Sequence, residues 1–209
     1  MKELIIVGAG GMGRTIYDMV LENSGYMKDF TVKGFIDDKL EALTGFASYP
    51  PIIGSISGYK VEMNDVFVCS IGGESRKKSM QSIIERGGDF ISLIHPTARI
   101  GTNVILGKGC YVGAFTTIAA DAKIGDYNFI QSNCIIGHDV VIGCWNRIDS
   151  YVMFVGGTKV GEECTIHTKA MISHNVAIGN NAHIGACSLV ISNVGDNCTF
   201  FGVPAKRIK

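Results

Sequence analysis

From Ile100 to Val190 a large apolar residue recurs at every sixth position without a skip. Ile100, Leu106, Val112, Ile118, Ile124 and Ile130 open the series; Phe154 is its one aromatic member; Ile172, Ile178, Ile184 and Val190 close it. A helix repeats at about 3.6 residues and an open strand at about 2, so neither explains a period of six. One turn of structure per few residues is the mark of a β-solenoid. If three hexads close one triangular coil, residues eighteen apart stack at ~4.8 Å, the spacing of a parallel sheet.

The position four residues after each of these takes small side chains: Val104, Thr116, Ala122, Val140, Ala170, Val176 and Ala182. Cys110, Cys134 and Cys164 fall in the same slot, so they read as buried, reduced thiols rather than metal ligands or disulfide halves. The chain has no CxxC pair. His95, His174 and His183 read as turn residues whose columns do not converge, and no metal is expected.

The first 92 residues read differently. Leu4-Ile5-Ile6-Val7 suits a strand buried on both faces, followed by Gly8-Ala9-Gly10-Gly11-Met12-Gly13 and a helix from Arg14 to Glu22. Val32–Ile36, ending at Asp37-Asp38, and Val66–Ile71, ending at Gly72-Gly73, read as further strands. A helix from about Glu74 to Arg86 follows, and Phe90–Ile94 reads as a last strand. Leu40–Gly58, with Pro50-Pro51, reads as a long surface loop. The expected fold is an α/β Rossmann-like domain over 1–92 and an all-β parallel β-helix over 93–209. The phase breaks after Val190, and the tail around Phe201–Arg207 should cap the last coil.

The eighteen-residue ruler stacks His138 over Ala120 and under Gly156, and Asp149 under His167. A histidine followed by a carboxylate, His138-Asp139, at a solenoid corner suits a general base oriented by an acid. Gly156 leaves a bare peptide N–H above it, able to polarise a thioester carbonyl.

The glycine loop with Asp37 beyond it formally matches a dinucleotide fingerprint. Only about 90 residues precede the solenoid, enough for one mononucleotide half. Its helix N-terminus suits a diphosphate. A nucleotide sugar, a purely structural glycine turn and NAD all stay open on the residues alone. Asp37 and Asp38 suit either a ribose or base contact or a solvated turn.

The unbroken hexads resemble the left-handed β-helix acyltransferases. Taken with the glycine-loop half, IHPTARIG, GHDVVIG and FGVPAKR, the chain is similar to the bacterial sialic acid O-acetyltransferases and the bacillosamine-type UDP-4-amino-sugar N-acetyltransferases. The resemblance implies an acetyl-CoA-dependent sugar acetyltransferase of bacterial surface glycan biosynthesis, working as a homotrimer with sites between solenoids. It implies His138 as base, Asp139 as its partner and the Gly156 amide on the acetyl carbonyl. It brings Thr168 and Ala186 to coenzyme A, with Lys206 and Arg207 toward its phosphates. The acceptor nucleotide sugar would meet Gly10, Gly11, Asp37, Asp38, Gly72 and Gly73. This chain departs from the pattern at Met12, at His167 and at Arg147, which stands where a second histidine is usual. Arg147 would favour a carboxylate or phosphate on the acceptor and depress the pKa of His138.

Two other readings share the fold: acyl transfer from a carrier protein, and a non-catalytic solenoid that binds a nucleotide sugar. A formal net charge of zero leaves no electrostatic footprint for nucleic acid or anionic membrane. With no run of 18 apolar residues and no secretory signal, a cytoplasmic protein is expected. The aromatics Phe115, Phe129, Trp145, Tyr151 and Phe154 lie outside the small slot, and some should need cover from a neighbouring subunit. Trp145 suits either the cleft or interface packing.

Overall fold

A computed structural model describes residues 1–73 and 75–209, and the chain divides into two compact units, Met1–Leu93 and Ile94–Lys209. Glu74, where the second helix was expected to begin, lies outside the described residues.

The first unit runs β1 (Lys2–Val7), α1 (Gly11–Glu22), β2 (Phe30–Ile36), β3 (Ile52–Gly54), β4 (Asp65–Cys69), α2 (Ser75–Glu85) and β5 (Asp89–Phe90). The strands pair in the order β3-β2-β1-β4-β5, every pair parallel. Leu4, Ile5, Ile6 and Val7 are fully buried, as a central strand covered on both faces requires. The order reverses between β1 and β4, which opens a crevice at their carboxyl ends.

Two expectations need correction here. The stretch Leu40–Gly58 is not all loop, because Ile52–Gly54 forms the edge strand β3 beside β2. Three half-buried residues carry no periodic signal, and Pro50-Pro51 just before them suits a sheet edge. Gly34 makes the pairing possible, since a Cβ there would come within 2.7 Å of the Pro51 carbonyl. The expected strand Phe90–Ile94 is two short ones, Asp89–Phe90 and Leu93–Ile94, the second belonging to a solenoid sheet.

An ion cluster stabilises the β1–β2–β4 region. Glu3, Glu62 and Asp65 gather their oxygens closely enough for a cation, and Lys33 Nζ takes that place, 3.0 Å from Glu3 and 2.9 Å from Asp65. Burial opposes the charge on Lys33, but its hydrogen bonds to Glu62, Asp65, Tyr59 and Glu3 outweigh that and raise its pKa. At the end of α2, Arg86 donates to the carbonyls of Ile56, Ser57 and Tyr59, pinning that turn to the helix.

The second unit is a left-handed parallel β-helix of three sheets. Its first face stacks the strands that begin at Arg99, Thr117, Ile135, Met153, Met171 and Leu189. The second face stacks those beginning at Ile105, Lys123, Val141, Lys159 and Ala177, and the third includes Tyr111, Phe129, Arg147, Thr165 and His183. From Arg99 to Val190 each strand has two residues, the second of which lies in the core from Val112 onward, and partners are eighteen apart, as in Ile118↔Ile136 and Ile136↔Phe154. The shift falls to sixteen at the top, where His183 pairs with Thr199. The hairpin Thr199–Gly202 with Ala205–Arg207 then ends the third sheet on a charged strand, which discourages further pairing.

Every corner follows one scheme. The third residue after each core position has positive φ, including Asn133, Asp139, Trp145, Tyr151 and Asn175. The next residue fills the small slot, and that slot selects for hydrogen-bond donors as well as size. The thiols of Cys110, Cys134 and Cys164 donate to the carbonyls of Gly125, Asp149 and Gly179 at 3.2, 3.2 and 3.0 Å. Thr116 reaches the Gln131 carbonyl, and Asn128 and Asn146 reach those of Gly143 and Gly161, at the same offset of fifteen. Asn128 also accepts from the Asn146 N–H and Asn146 from the Cys164 N–H, so two fully buried amides form a satisfied ladder. The aromatics divide: Phe154 is core, Phe129 is buried against Tyr111 and Trp145 stacks on Tyr127, while Phe115 and Tyr151 stay exposed.

Candidate active site

His138 and Asp139 occupy the corner between the first and second faces. Asp139 takes positive φ (59°), and the turn brings its Oδ2 to 2.7 Å from His138 Nδ1. With Nδ1 donating to the carboxylate, Nε2 is left as the acceptor, the tautomer a general base needs. Both side chains are about two-thirds exposed, at 64% and 65%, so solvent screens the pair and its value is orientation.

Gly156 lies one coil above. A Cβ built there would sit 2.5 Å from His138 Nε2 and 2.6 Å from Cε1, so the imidazole occupies the space that any side chain would fill. Asn175 N–H donates to the Gly156 carbonyl and Gly157 N–H to the His138 carbonyl, while the Gly156 N–H has no partner among the described residues. The structure thus puts a free ring nitrogen and an unclaimed backbone donor side by side on one edge. A carbonyl placed between them would meet both.

Thr168 and Ala186 stack at the corner between the third and first faces, both exposed. Arg147 starts a third-face strand, so within one chain it stands away from the His138 corner. Its Nε donates to Asp149 Oδ1 at 2.8 Å. Trp145 is at the second–third corner and does not join His138 either. Lys206 and Arg207 are exposed on the closing hairpin.

In the first unit three loops gather at the carboxyl ends of the parallel strands, and their glycines do separate jobs. Gly8 (φ 97°) must turn the chain, and a Cβ on Gly13 would run into the Gly8 carbonyl, so these two serve the fold. Gly10 and Gly11, at the N-terminus of α1, are exposed, with open space where a Cβ would go at Gly10. Nothing in the chain demands glycine at Gly10, and its open position at the helix N-terminus leaves room for close approach to the backbone N–H groups there. Gly72 and Gly73 are exposed after β4, and Ser70 Oγ ties that loop to the Val7 and Gly8 carbonyls. Asp37 accepts the Ala9 and Lys39 N–H groups, and Asp38 that of Ile56, so both carboxylates shape the loops around the crevice.

Sequence reasoning stacked Asp149 under His167 but did not see that Asp149 also holds Arg147. The signal lay in two spacings at once, eighteen residues to His167 and two to Arg147.

Comparison with known proteins agrees with this architecture. Residues 3–84 match the PglD N-terminal domain family, and residues 157–192 match the bacterial transferase hexapeptide (six repeats) family. The chain is 30% identical over 119 residues, 54% of its length, to the UDP-N-acetylbacillosamine N-acetyltransferase of Bacillus subtilis (strain 168). The match spans 52% of that relative's length and 24% of a second curated relative's, so the chain matches about half or less of each. PerB from Caulobacter crescentus, solved in complex with CoA and GDP-perosamine, superposes with a TM-score of 0.88 at 25% identity, covering 100% of this chain and 98% of that one. The acetyltransferase domain of PglB from Neisseria gonorrhoeae FA1090, in complex with acetyl coenzyme A, gives 0.87 at 24% identity over 99% of each chain. The chain thus carries a match to the PglD N-terminal domain over residues 3–84 and to the hexapeptide repeats over residues 157–192, and it shares the fold of these solved acetyltransferases.

Proposed function

We propose that this protein transfers the acetyl group of acetyl-CoA to an amino or hydroxyl group of a nucleotide-linked sugar. The observation that carries the reading is the edge where His138 Nε2 lies against the bare Gly156, whose N–H is unclaimed. His138 Nε2 takes a proton from the acceptor group as its nitrogen or oxygen attacks the thioester carbon. The Gly156 N–H donates to the oxyanion that forms. The carbon–sulfur bond then breaks, and the departing thiolate takes the proton back from the imidazolium, releasing coenzyme A as a thiol. Asp139 keeps the ring in register throughout. The relatives solved with coenzyme A, acetyl coenzyme A and GDP-perosamine support the choice of donor and acceptor class. The open glycines Gly10 and Gly11, with Gly72 and Gly73, would receive the diphosphate of the sugar nucleotide.

The assembly is proposed to be a homotrimer built through the first face. Its outward residues Ile135, Met153, Met171 and Leu189 form an apolar column, with Ile135 43% and Met171 41% exposed. This face is bordered on one side by the His138 corner and on the other by the corner of Asp149, His167, Thr168 and Ala186. Three copies closing a ring through it would set one edge of each against the opposite edge of the next, as a heterologous interface does. That places the base of one subunit beside the proposed coenzyme positions of its neighbour. A cytoplasmic setting fits these substrates.

The test is thiol release from acetyl-CoA across a panel of nucleotide-linked amino sugars. The wild-type chain should turn over at least one, and His138→Ala should lose about 10²–10⁴-fold in kcat while still binding coenzyme A. Retained turnover in His138→Ala would reject the assignment.

A further inference from the structure

At the corner between the third and first faces, one buried carboxylate organises two basic side chains. The side chain of Asp149 is 8% exposed. Its Oδ1 accepts from Arg147 Nε at 2.8 Å, and its Oδ2 lies 3.1 Å from His167 Nδ1 on the coil above. Gln131 adds a long contact to Oδ1 at 3.4 Å, and Ser150 Oγ donates to Gln131 Oε1, which fixes the amide.

With the two basic partners more than a third exposed, solvent screening leaves these pairs little to add to the stability of the fold. The arrangement does orient its outer ends. Arg147 is held through Nε alone, so both terminal guanidinium nitrogens have no partner among the described residues and face solvent on a side chain 38% exposed. His167 is held through Nδ1, leaving Nε2 outward on a ring 43% exposed. Of the two planar groups fixed at their bases by one carboxylate, Arg147 thus presents N–H donors outward, and His167, with Nδ1 donating to Asp149, presents Nε2 as an acceptor beside them. A guanidinium fork pinned in this way suits two parallel hydrogen bonds to an oxyanion. Thr168, the residue after His167, adds an exposed hydroxyl beside it.

We propose that Arg147, positioned by Asp149, forms an oxyanion subsite at the edge of the acetyl-transfer cleft, with His167 Nε2 beside it to accept from a neighbouring hydroxyl of the ligand. The oxyanion is a carboxylate on the acceptor sugar or a phosphate of the donor. The proposal rests on the acetyltransferase reading, because only that reading gives this edge a ligand.

The test is equilibrium binding to the full-length protein, wild type and Arg147→Gln, with four probes. Coenzyme A and 3′-dephospho-coenzyme A report the donor; UDP-glucuronate and UDP-glucose differ by one carboxylate and report the acceptor. The subsite predicts that one pair is discriminated by wild type and that Arg147→Gln removes the discrimination, weakening the anionic member by about thirtyfold. Loss within the sugar pair assigns the oxyanion to the acceptor, and loss within the coenzyme pair assigns it to the donor. Arg147→Lys, which keeps the charge without the fork, should restore part of the preference and guards against a variant that merely folds poorly. If Arg147→Gln binds all four probes as wild type does, the subsite is overturned. If wild type binds none of them, the acetyltransferase reading fails, and the subsite with it.

Discussion

At the residue scale the decisive contact is a ring against a glycine. Gly156→Ala should leave folding intact, because the exposed imidazole can swing away, but it would displace the base from the backbone donor. A displacement of about 1 Å predicts a loss of about 10²-fold in kcat with a small change in coenzyme A binding, read by steady-state kinetics beside titration. The buried thiols make a second residue-level prediction. Burial pushes Cys134 up to about 11 and raises Cys69 and Cys164 as well. In the folded chain an alkylating reagent at pH 8 should label the exposed Cys187 and the half-buried Cys144 and spare the other five cysteines. Because the folded Cys134 thiol resists ionisation, its contribution to stability is complete below the unfolded thiol pKa. It is lost as pH climbs from about 9 toward 11, so the thermal midpoint should fall across that window.

At the scale of elements, the inward donors should matter more than their size suggests. Asn146→Leu strips partners from the Cys164 N–H and the Gly161 carbonyl, and should cost about 2–4 kcal/mol in urea unfolding. In the first unit, Lys33→Met leaves the buried Asp65 without its cation and should cost about 3–5 kcal/mol by the same measurement. These cases mark how far the sequence could be read. The hexads were legible because each face of each coil buries one large residue, so the core prints its period directly. The donor slot was read only as small, since Cys, Thr and Asn look unrelated until one offset of fifteen joins their carbonyl partners. Strand β3 was missed because an edge strand of three half-buried residues leaves no pattern. His138 over Gly156 was legible by counting eighteen. The separation of Arg147 from that corner was not, because nine residues along the chain is half a coil and ends on another face.

At the scale of the whole molecule the account needs neighbours. Met171→Glu places a charge in the apolar column of the first face and should yield monomers by light scattering, with turnover reduced and far-UV circular dichroism unchanged. A monomer that keeps full activity would detach the site from the assembly. The account as a whole is tested most directly by a crystal structure of the protein with coenzyme A and the nucleotide-linked sugar it turns over. It predicts the coenzyme's sulfur beside the Gly156 N–H and the acceptor nitrogen or oxygen within about 3 Å of His138 Nε2. Coenzyme A bound away from the His138–Gly156 edge, or a dinucleotide on the Gly10-Gly11 loop in place of the sugar, would contradict it.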